Sequence, residues 1–315
     1  MEEANSAELV TLVDNYINGF LSSSEWVKRP GPSIVRGCKP GKPLRAEFGF
    51  SVLFRIRKDN QVFPILFDAG VGDEALLFNA KLLNIDLTDT QAIVLSHGHP
   101  DHTAAIVETV CAIKKKDLPI IVHPDALTIR ALKLGTPEPQ PVPFFLDEKA
   151  IRECGAKMII SKGVTSLAGK TAYVTGQIPR VTEFEKGLPP DTHYQIQDGK
   201  FVHDPNVFDD QGLVINIKDK GLIIVSGCAH SGIINTVKYA QQITGVNRIY
   251  AIVGGFHLTG DFFEPIIDKT VNAFKEIKPD YIVPAHCTGM RAIIKISNAL
   301  PNAFVESSVG TTFLF

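Results

Sequence analysis

The sequence predicts an α/β fold in which helices cover the outer faces of β-sheets. Short runs rich in β-branched residues alternate along the chain with longer segments whose apolar residues recur at helical spacing. Of the 315 residues, 44% are hydrophobic and 21% are charged, which is typical of a folded globular protein. The length alone allows one large α/β domain or two domains of ordinary size.

The first part of the chain is predicted to be rich in strands. β-branched and aromatic runs predict strands at residues 9–13, 50–56, 63–67, 92–95 and 120–122. The second and third of these form a hairpin, because the polar turn Lys58-Asp59-Asn60 separates them. Apolar spacing predicts helices at residues 74–83, 103–115 and 124–134. A loop is expected at residues 22–43, which are rich in Ser, Pro, Gly and Lys.

The second part continues the alternation of strands and helices. Strands are predicted at residues 157–160, 171–174, 212–217, 222–225, 249–253 and 281–283. Helices are predicted at residues 233–243, 264–276 and 290–300. Residues 1–315 are expected to form one domain with an irregular loop excursion at about residues 135–210. Four prolines crowd residues 135–143, and residues 178–208 show no clear period.

Charge and cysteine content exclude several classes of protein. With 32 basic and 34 acidic residues the net charge is −2, which argues against a nucleic-acid binder. The acidic start is unlike a secretory signal, and no span of about 18 apolar residues predicts a membrane helix. The five cysteines are an odd number without a CxxC pair, so free thiols in a reducing cytoplasm are expected. They are Cys38, Cys111, Cys154, Cys228 and Cys287.

The densest group of reactive side chains spans residues 96–102, which read SHGHPDH between a predicted strand and a predicted helix. In an extended segment His97 and His99 point the same way, because side chains alternate between two faces. Asp101 and His102 fall where the chain turns into the helix, so they can face a second point. Imidazole and carboxylate are common ligands of zinc and similar divalent ions. The spacing therefore predicts two metal ions close together.

This HxHxDH motif resembles the signature of the metallo-β-lactamase superfamily. Further likenesses follow in the order that the superfamily uses: FDAG at residues 67–70, VSGC at 225–228 and PAHC at 284–287. The resemblance implies an αβ/βα four-layer sandwich with the metal site at one edge of the two sheets. Several histidines also follow predicted strands directly, which is where α/β proteins place their sites.

Within that superfamily, the sequence is most similar to the dihydropterin-ribofuranosylaminobenzene-phosphate synthase-like group. The likeness rests on VDN at residues 13–15, EFGFS at 47–51, GCAHSG at 227–232, GGFHL at 254–258 and PAHC at 284–287. A histidine is common in that group where this chain has Phe48, so a role at that position is in doubt. The name of the group implies that a dihydropterin is joined to a phosphorylated ribosyl-aryl amine, which is a condensation.

The resemblance implies two divalent metal ions, with zinc expected and manganese or iron as alternatives. The six expected ligands are His97, His99, Asp101, His102, His230 and His286. The first two would help to hold one ion, and Asp101, His102 and His286 would hold the other.

Two positions depart from the pattern of the superfamily. Many of its hydrolases have a bridging aspartate where this chain has Cys228, whose thiolate could bridge the ions or could be a small buried group. His230, two residues further on, is the expected ligand in its place. An intermediate histidine is missing near residues 174–180, so the first ion lacks a protein ligand unless His230 serves it.

Asp68 and His257 are assigned roles beside the ligands. Asp68 either orients a ligand histidine from outside the coordination sphere, as metal sites require, or caps a loop through backbone N–H groups. His257 follows the strand at residues 249–253 and is expected to contact substrate and take part in catalysis, with metal ligation or a structural hydrogen bond as alternatives.

A phosphate-bearing substrate is predicted from the segment that opens the helix at residue 233. Free backbone N–H groups at such a helix start favour an anion, which assigns substrate binding to Ser231 and Gly232. Arg180, in the irregular segment, would add positive charge.

Together these features predict an enzyme with a binuclear metal site. It would be a divalent-metal-dependent hydrolase that uses a metal-bound hydroxide on a phosphoester or another phosphate-containing small molecule. Asp101 is the one acid of the motif and is expected to ligate and to accept a proton. The alternatives are a condensation of the synthase type and a non-catalytic binding protein that kept the fold. A di-iron redox enzyme is disfavoured, because such members usually carry a glutamate at the position of His99.

Overall fold

The structure is a computed structural model that describes residues 1–32, 42–72 and 75–315. The first nine strands are β1 (Ser6–Val13), β2 (Val27–Lys28), β3 (Ser51–Lys58), β4 (Gln61–Phe67), β5 (Ala92–Val94), β6 (Leu118–Val122), β7 (Arg130–Leu132), β8 (Gln140–Pro141) and β9 (Ala156–Ile160). The remaining strands are β10 (Thr165–Leu167), β11 (Ala172–Val174), β12 (His193–Gln197), β13 (Lys200–His203), β14 (Gly212–Ile217), β15 (Gly221–Ser226), β16 (Ile249–Gly255), β17 (Tyr281–Ala285) and β18 (Thr312–Leu314).

The α-helices lie between these strands. They are α1 (Ala75–Leu82), α2 (Pro100–Thr103), α3 (Ile106–Ile113), α4 (Glu148–Glu153), α5 (Ile233–Thr244), α6 (Ile267–Ile277) and α7 (Met290–Ala299). The helices expected at residues 233–243, 264–276 and 290–300 are confirmed, the middle one beginning with a 3₁₀ turn at Glu264–Ile266. The helix expected from residue 74 is described from residue 75, since Glu74 lies outside the described residues. Of the loop expected at residues 22–43, residues 33–41 lie outside the described residues, and the rest is irregular apart from the short strand β2.

Two large sheets form the frame. The first has eight strands in the order β2-β18-β1-β3-β4-β5-β6-β9, and the second has six in the order β10-β11-β14-β15-β16-β17. Strands β3 and β4 pair from Val52↔Phe67 to Lys58↔Gln61, which confirms the predicted hairpin. Both sheets are mixed: β4, β5, β6 and β9 run parallel in the first, and β15, β16 and β17 run parallel in the second.

Three hydrophobic clusters divide the molecule into four layers. One cluster lies between the sheets and joins side chains such as Phe54 and Phe67 of the first to Ile215 and Val253 of the second. Another packs α1, α3 and α4 on the outer face of the first sheet, and the third packs α5, α6 and α7 on the outer face of the second. The predicted αβ/βα sandwich is confirmed.

Helix α6 illustrates why these segments fold as they do. Its buried residues are Ile267, Thr270, Val271 and Phe274, a spacing of three and four that forms one apolar stripe. That stripe packs on the second sheet, and burial of a large side chain such as Phe274 contributes about 1.5–3 kcal/mol.

The segment predicted as an irregular excursion needs correction. Strands β7, β8, β12 and β13 form a third, antiparallel sheet in the order β13-β12-β7-β8. The helix predicted at residues 124–134 is also wrong: Pro124–Leu127 form a 3₁₀ turn and Arg130–Leu132 form β7. Strand β7 pairs with the distant β12 on one side and with the nearby β8 on the other, and this sheet pairing overrides its local helical spacing. That residues 1–315 form one domain stays a prediction.

The cysteines differ from the expectation of free thiols. Cys111 in α3 and Cys154 at the end of α4 form a disulfide that crosslinks two helices outside the first sheet. They lie 43 residues apart, so nothing in the sequence indicated the pair. Cys228 and Cys287 are free and buried, whereas Cys38 lies outside the described residues.

A helix that crosses a membrane needs about 20 predominantly apolar residues. Among residues 1–32, 42–72 and 75–315, no helix combines the length and the apolar composition that crossing a lipid bilayer requires.

Candidate metal centre

Five strands end at the same edge of the two sheets and carry the candidate residues there. Asp68 follows β4, His97 lies just after β5, Cys228 follows β15, His257 follows β16 and His286 follows β17. Because β4 and β5 are parallel, as are β15, β16 and β17, their carboxyl ends lie together within each sheet. Side chains that are far apart in sequence therefore meet at one place.

A first cluster consists of His97, His99 and His230, whose candidate ligand atoms lie within 4.8 Å of one another. Nδ1 of His99 is 3.0 Å from Nε2 of His97 and 3.1 Å from Nε2 of His230. Burial, with the positive charges nearby, holds the pKa of all three imidazoles well below the usual value, so they are neutral. Three neutral ring nitrogens that converge in this way fit a divalent cation.

A second cluster consists of Asp101, His102, Cys228 and His286, again within 4.8 Å. Oδ2 of Asp101 is 3.2 Å from Nε2 of His286 and 3.6 Å from Nε2 of His102. Sγ of Cys228 is 3.1 Å from Nε2 of His102. Carboxylate, thiol and two imidazoles also form a donor set that suits zinc. His230 therefore belongs to the first cluster and Cys228 to the second, and these two side chains also form a third group of close donor atoms with His257.

Asp68 orients His102 through a direct hydrogen bond to its ring. Its Oδ2 accepts from Nδ1 of His102 at 2.7 Å and from Oγ of Ser96 at 2.7 Å, and its Oδ1 accepts from the Ser96 N–H at 2.6 Å. Burial lowers the pKa of His102, but the carboxylates of Asp101 and Asp68 outweigh it and raise that pKa to about 9. Both predicted alternatives for Asp68, the oriented histidine and the backbone bond, occur together.

His286 has its own support, which sequence reasoning missed. Asp14 accepts from the His286 N–H at 2.9 Å and from Oγ of Ser307 at 2.6 Å. Oδ1 of Asn15 is 3.1 Å from Nδ1 of His286. These contacts hold His286 at φ +48°, a conformation that a histidine adopts only when its surroundings impose it. The VDN motif at residues 13–15 was the signal that contained this support.

The turn between His97 and His99 is supported by a buried ion pair. Asp209 accepts from the Gly98 N–H at 2.7 Å and from Nη2 of Arg130 at 2.6 Å, and both side chains are buried. A Cβ at Gly98 would lie 2.5 Å from the carbonyl oxygen of Ala126, so only glycine fits this turn. Arg130 and Asp209 lie too far from the motif in sequence to have been found there.

A cavity of about 250 Å³ opens onto both clusters. His99, Asp101 and Cys228 line it together with residues that had no assigned role. Among these, His193 of β12 lies with its ring 5.8 Å from that of His99, and Phe48 lies with its ring 5.1 Å from that of His286. Phe48 therefore forms part of the cavity wall, although the missing histidine had left its role in doubt.

The anion site predicted at the start of α5 is filled by the chain itself. The carboxylate of Glu185 accepts from the N–H groups of Ile234 and Asn235, both at 2.9 Å. A Cβ on Gly232 would lie 2.3 Å from that carboxyl group, and Ser231 is only 1% exposed. The phosphate contact predicted for Ser231 and Gly232 is corrected accordingly, because the N–H groups that would bind it already have a partner.

Arg180 also has partners within the chain. Its guanidinium donates to the carbonyl oxygens of Asn206 and His230 and lies 5.6 Å above the ring of Phe208. These contacts fix the segment before α5, so the side chain predicted to bind substrate instead joins two loops.

His257 lies at the border of the first cluster. It has φ +45°, and its ring centre is 4.6 Å from that of His230. Its Nδ1 is buried and has no hydrogen-bond partner among the described residues, as is true of Nδ1 of His230 and Nε2 of His99. Its catalytic role, like the ligation by the two clusters, stays a prediction.

Comparison with known proteins identifies the family. The family model described as the metallo-β-lactamase superfamily matches residues 45–143. A 7,8-dihydropterin-6-methyl-4-(β-D-ribofuranosyl)-aminobenzene-5'-phosphate synthase of Methanocaldococcus jannaschii is 35% identical over 256 residues, covering 79% of this chain and 84% of that protein. The chain belongs to the metallo-β-lactamase superfamily. The predicted family is thereby confirmed, and with it the assignment as an enzyme.

Solved structures of the metallo-β-lactamase superfamily share the fold. Tm1679, described as a metal-dependent hydrolase of the β-lactamase superfamily, has a TM-score of 0.71 at 24% identity, covering 98% of each chain. Zn²⁺-bound PqqB of Methylobacterium extorquens has a TM-score of 0.50 at 12% identity, covering 97% of this chain and 99% of that one. The second example is a zinc-bound protein of this fold.

Proposed function

We propose that this metallo-β-lactamase-fold enzyme holds two divalent metal ions and hydrolyses a phosphate ester of a small molecule. The observation that carries the proposal is the pair of ligand clusters, which face one cavity from the carboxyl ends of the strands. Buried ring nitrogens without partners, such as Nε2 of His99 and Nδ1 of His230, fit residues that await a ligand.

The residues that would hold the ions are those of the two clusters. The first ion would be bound by His97, His99 and His230. The second ion would be bound by Asp101, His102, His286 and the Cys228 sulfur. Two divalent ions of this kind stabilise developing negative charge and lower the pKa of bound water towards neutrality. Thiolate and imidazole donors favour zinc over harder ions such as manganese.

The other residues act on the substrate and on protons. The carboxylate of Asp101 lies at the border of the cavity. Burial alone would raise the pKa of this carboxylate, but the neighbouring histidines hold that pKa well below the usual range. Asp101 therefore orients a nucleophile and accepts a hydrogen bond. Phe48 and His193 line the wall of the cavity. His257 is available to donate or accept a proton beside the first cluster.

Condensation of the synthase type is the second candidate. The observation that favours it is the 35% identity with the synthase from Methanocaldococcus jannaschii, over 79% of this chain. In that reaction an amine or carbon nucleophile would take the place of water in the same cavity. The two candidates share the metal ions and the phosphorylated substrate and differ in what attacks.

The test begins with metal content and turnover of the purified enzyme. We expect about two zinc ions per chain under metal-replete growth and turnover of phosphomonoester or phosphodiester substrates that a chelator abolishes and zinc restores. Protein that retains no metal would contradict the proposal. Protein that binds metal but turns over no ester, while joining a dihydropterin that carries a leaving group to a phosphorylated ribosyl-aryl amine, would favour condensation. Metal and substrate binding without either reaction would indicate a binding protein.

The compartment and partner belong to the same proposal. We place the enzyme in the cytoplasm, acting on a phosphorylated small molecule, on the basis of the free thiols of Cys228 and Cys287. The Cys111–Cys154 disulfide counts against that location, because such bonds are rare in reducing compartments. Alkylation of thiols in freshly lysed cells, before and after reduction, shows whether Cys111 and Cys154 are reduced in the cell. Reduced thiols at both positions would support a cytoplasmic location, and a disulfide would contradict it.

A further inference from the structure

A smaller cavity lies beside the first cluster, and no role assigned so far uses it. Its volume is about 120 Å³, and it shares His230 and His257 with the larger cavity above both clusters. Most of its wall is apolar, formed by Phe184, Phe256, Leu258, Phe262, Phe263 and Ile266. We call it the aromatic pocket. An apolar pocket that adjoins a reacting centre suits an uncharged part of a substrate.

A row of rings connects the aromatic pocket to the first cluster. The ring centres of Phe262 and Phe263 are 5.1 Å apart, those of Phe263 and His257 are 4.7 Å apart, and those of His257 and His230 are 4.6 Å apart. The first two contacts are edge-to-face. Aromatic rings prefer such contacts with one another, so a further ring placed here would find favourable neighbours.

The polar groups that line the aromatic pocket are compatible with a negatively charged phosphorylated ligand. Glu185 is its one carboxylate, and that group already accepts from the N–H groups of Ile234 and Asn235 and from Oγ1 of Thr182. Lys186, which is exposed, also lines the pocket and brings positive charge. A substrate with negative charge near the clusters and an apolar group in the pocket therefore meets matching surroundings.

We propose that the aromatic pocket binds one six-membered aromatic ring of the substrate, joined directly or through a short linker to the phosphate that reacts at the clusters. This rests on the proposed function, since it places the reacting group at the metal ligands. The size of the pocket limits the ring, because an apolar protein cavity of about 150 Å³ accepts one benzene molecule. A fused pair of rings exceeds the space of about 120 Å³.

Phosphonates that are not hydrolysed test the pocket apart from turnover. Calorimetric titration of the zinc-loaded enzyme compares methylphosphonate, phenylphosphonate and 2-naphthylphosphonate. We expect phenylphosphonate to bind about tenfold more tightly than methylphosphonate, in line with an aromatic contact and a buried ring. The naphthyl compound should gain nothing over the phenyl compound, because its second ring finds no space.

Two variants and one control connect this preference to the pocket. Phe262→Ala and Phe263→Leu should each reduce the phenyl-to-methyl ratio to about threefold or less, since each removes one ring contact. Phe201→Ala is the matched control: Phe201 is 43% exposed on β13, close to the 45% of Phe262, but does not line the pocket. It should keep the full ratio.

Equal affinity of the zinc-loaded protein for methylphosphonate and phenylphosphonate would overturn the proposed role of the aromatic pocket and leave the proposed function intact. A ratio that survives both variants, or a naphthyl compound that binds best, would overturn it as well. If zinc is not retained and no phosphonate binds, the proposed function fails, and aniline then tests the pocket alone by saturation-transfer NMR. Binding of aniline that Phe263→Leu abolishes would support the pocket, and no binding of aniline would overturn it.

Discussion

The two ligand clusters lie at the same edge of the molecule but differ in charge and in support. His97, His99 and His230 offer three neutral imidazoles, whereas the second cluster adds the carboxylate of Asp101 and the thiol of Cys228 to two imidazoles. The carboxylate of Asp101 attracts a cation more strongly than neutral donors do. We therefore expect the second cluster to hold its ion more tightly than the first.

The supporting contacts differ in the same way. In the second cluster, side chains contact the imidazoles directly, as Asp68 does at His102 and Asn15 at His286. In the first, the main support is applied to the backbone, because Asp209 holds the Gly98 N–H between the two histidines. The second cluster therefore depends on side chains that orient its imidazoles, whereas the first depends on the backbone conformation of the turn between His97 and His99.

The largest expected effect comes from removing a donor of the second cluster. His102→Ala should lower kcat/KM by about a thousandfold, because a bound cation supplies several kcal/mol of transition-state stabilisation. Elemental analysis should find one ion per chain, held by the first cluster. His203→Ala, on β13 and exposed, is the control and should retain activity and both ions. If His102→Ala retained two ions and full activity, the assignment of the second cluster as a metal site would be contradicted.

Support of the first cluster is tested through folding stability. Asp209→Ala should lower the free energy of unfolding by about 3 kcal/mol, because it leaves the buried Arg130 without its closest partner. Urea unfolding monitored by circular dichroism measures the loss. Asp204→Ala is the matched control, since Asp204 lies 3.6 Å from the same guanidinium, and its effect should be smaller. Equal losses in the two variants would contradict the special place of Asp209.

A smaller effect should separate the clusters by metal affinity. Asp68→Asn should weaken zinc binding in the second cluster about 10- to 100-fold, because the carboxylate that orients His102 becomes an amide. Asp68 reaches the first cluster only indirectly, through the Ser96 hydroxyl that contacts His97. The zinc affinity of the first cluster should therefore change less. Competition with a chromogenic chelator measures both constants. Asp280→Asn is the control, because Asp280 lies before β17, at the end of that strand opposite His286, and its carboxylate pairs with the exposed Arg248. Equal weakening of both sites would erase the distinction.

Much of the fold and of the ligand set was predictable because it depends on local patterns. The HxHxDH spacing and the residues after strands identified both clusters, since strand ends place side chains at a sheet edge. Strand β7 was mistaken for a helix because its partner β12 lies far away in sequence. The phosphate role of Ser231 and Gly232 failed for a similar reason: Glu185 reaches their helix from another segment.

Motifs and periodicity within local segments were enough to predict the superfamily and the layered fold, and they pointed to most of the side chains that meet at the sheet edge. Only the tertiary structure decided which donors share a cluster, bringing His230 to the first and Cys228 to the second. It also revealed the supports at Asp14 and Asp209 and the row of rings through His257 and Phe263. Such contacts join residues from separate strands and loops, and their distances follow from packing of the whole chain.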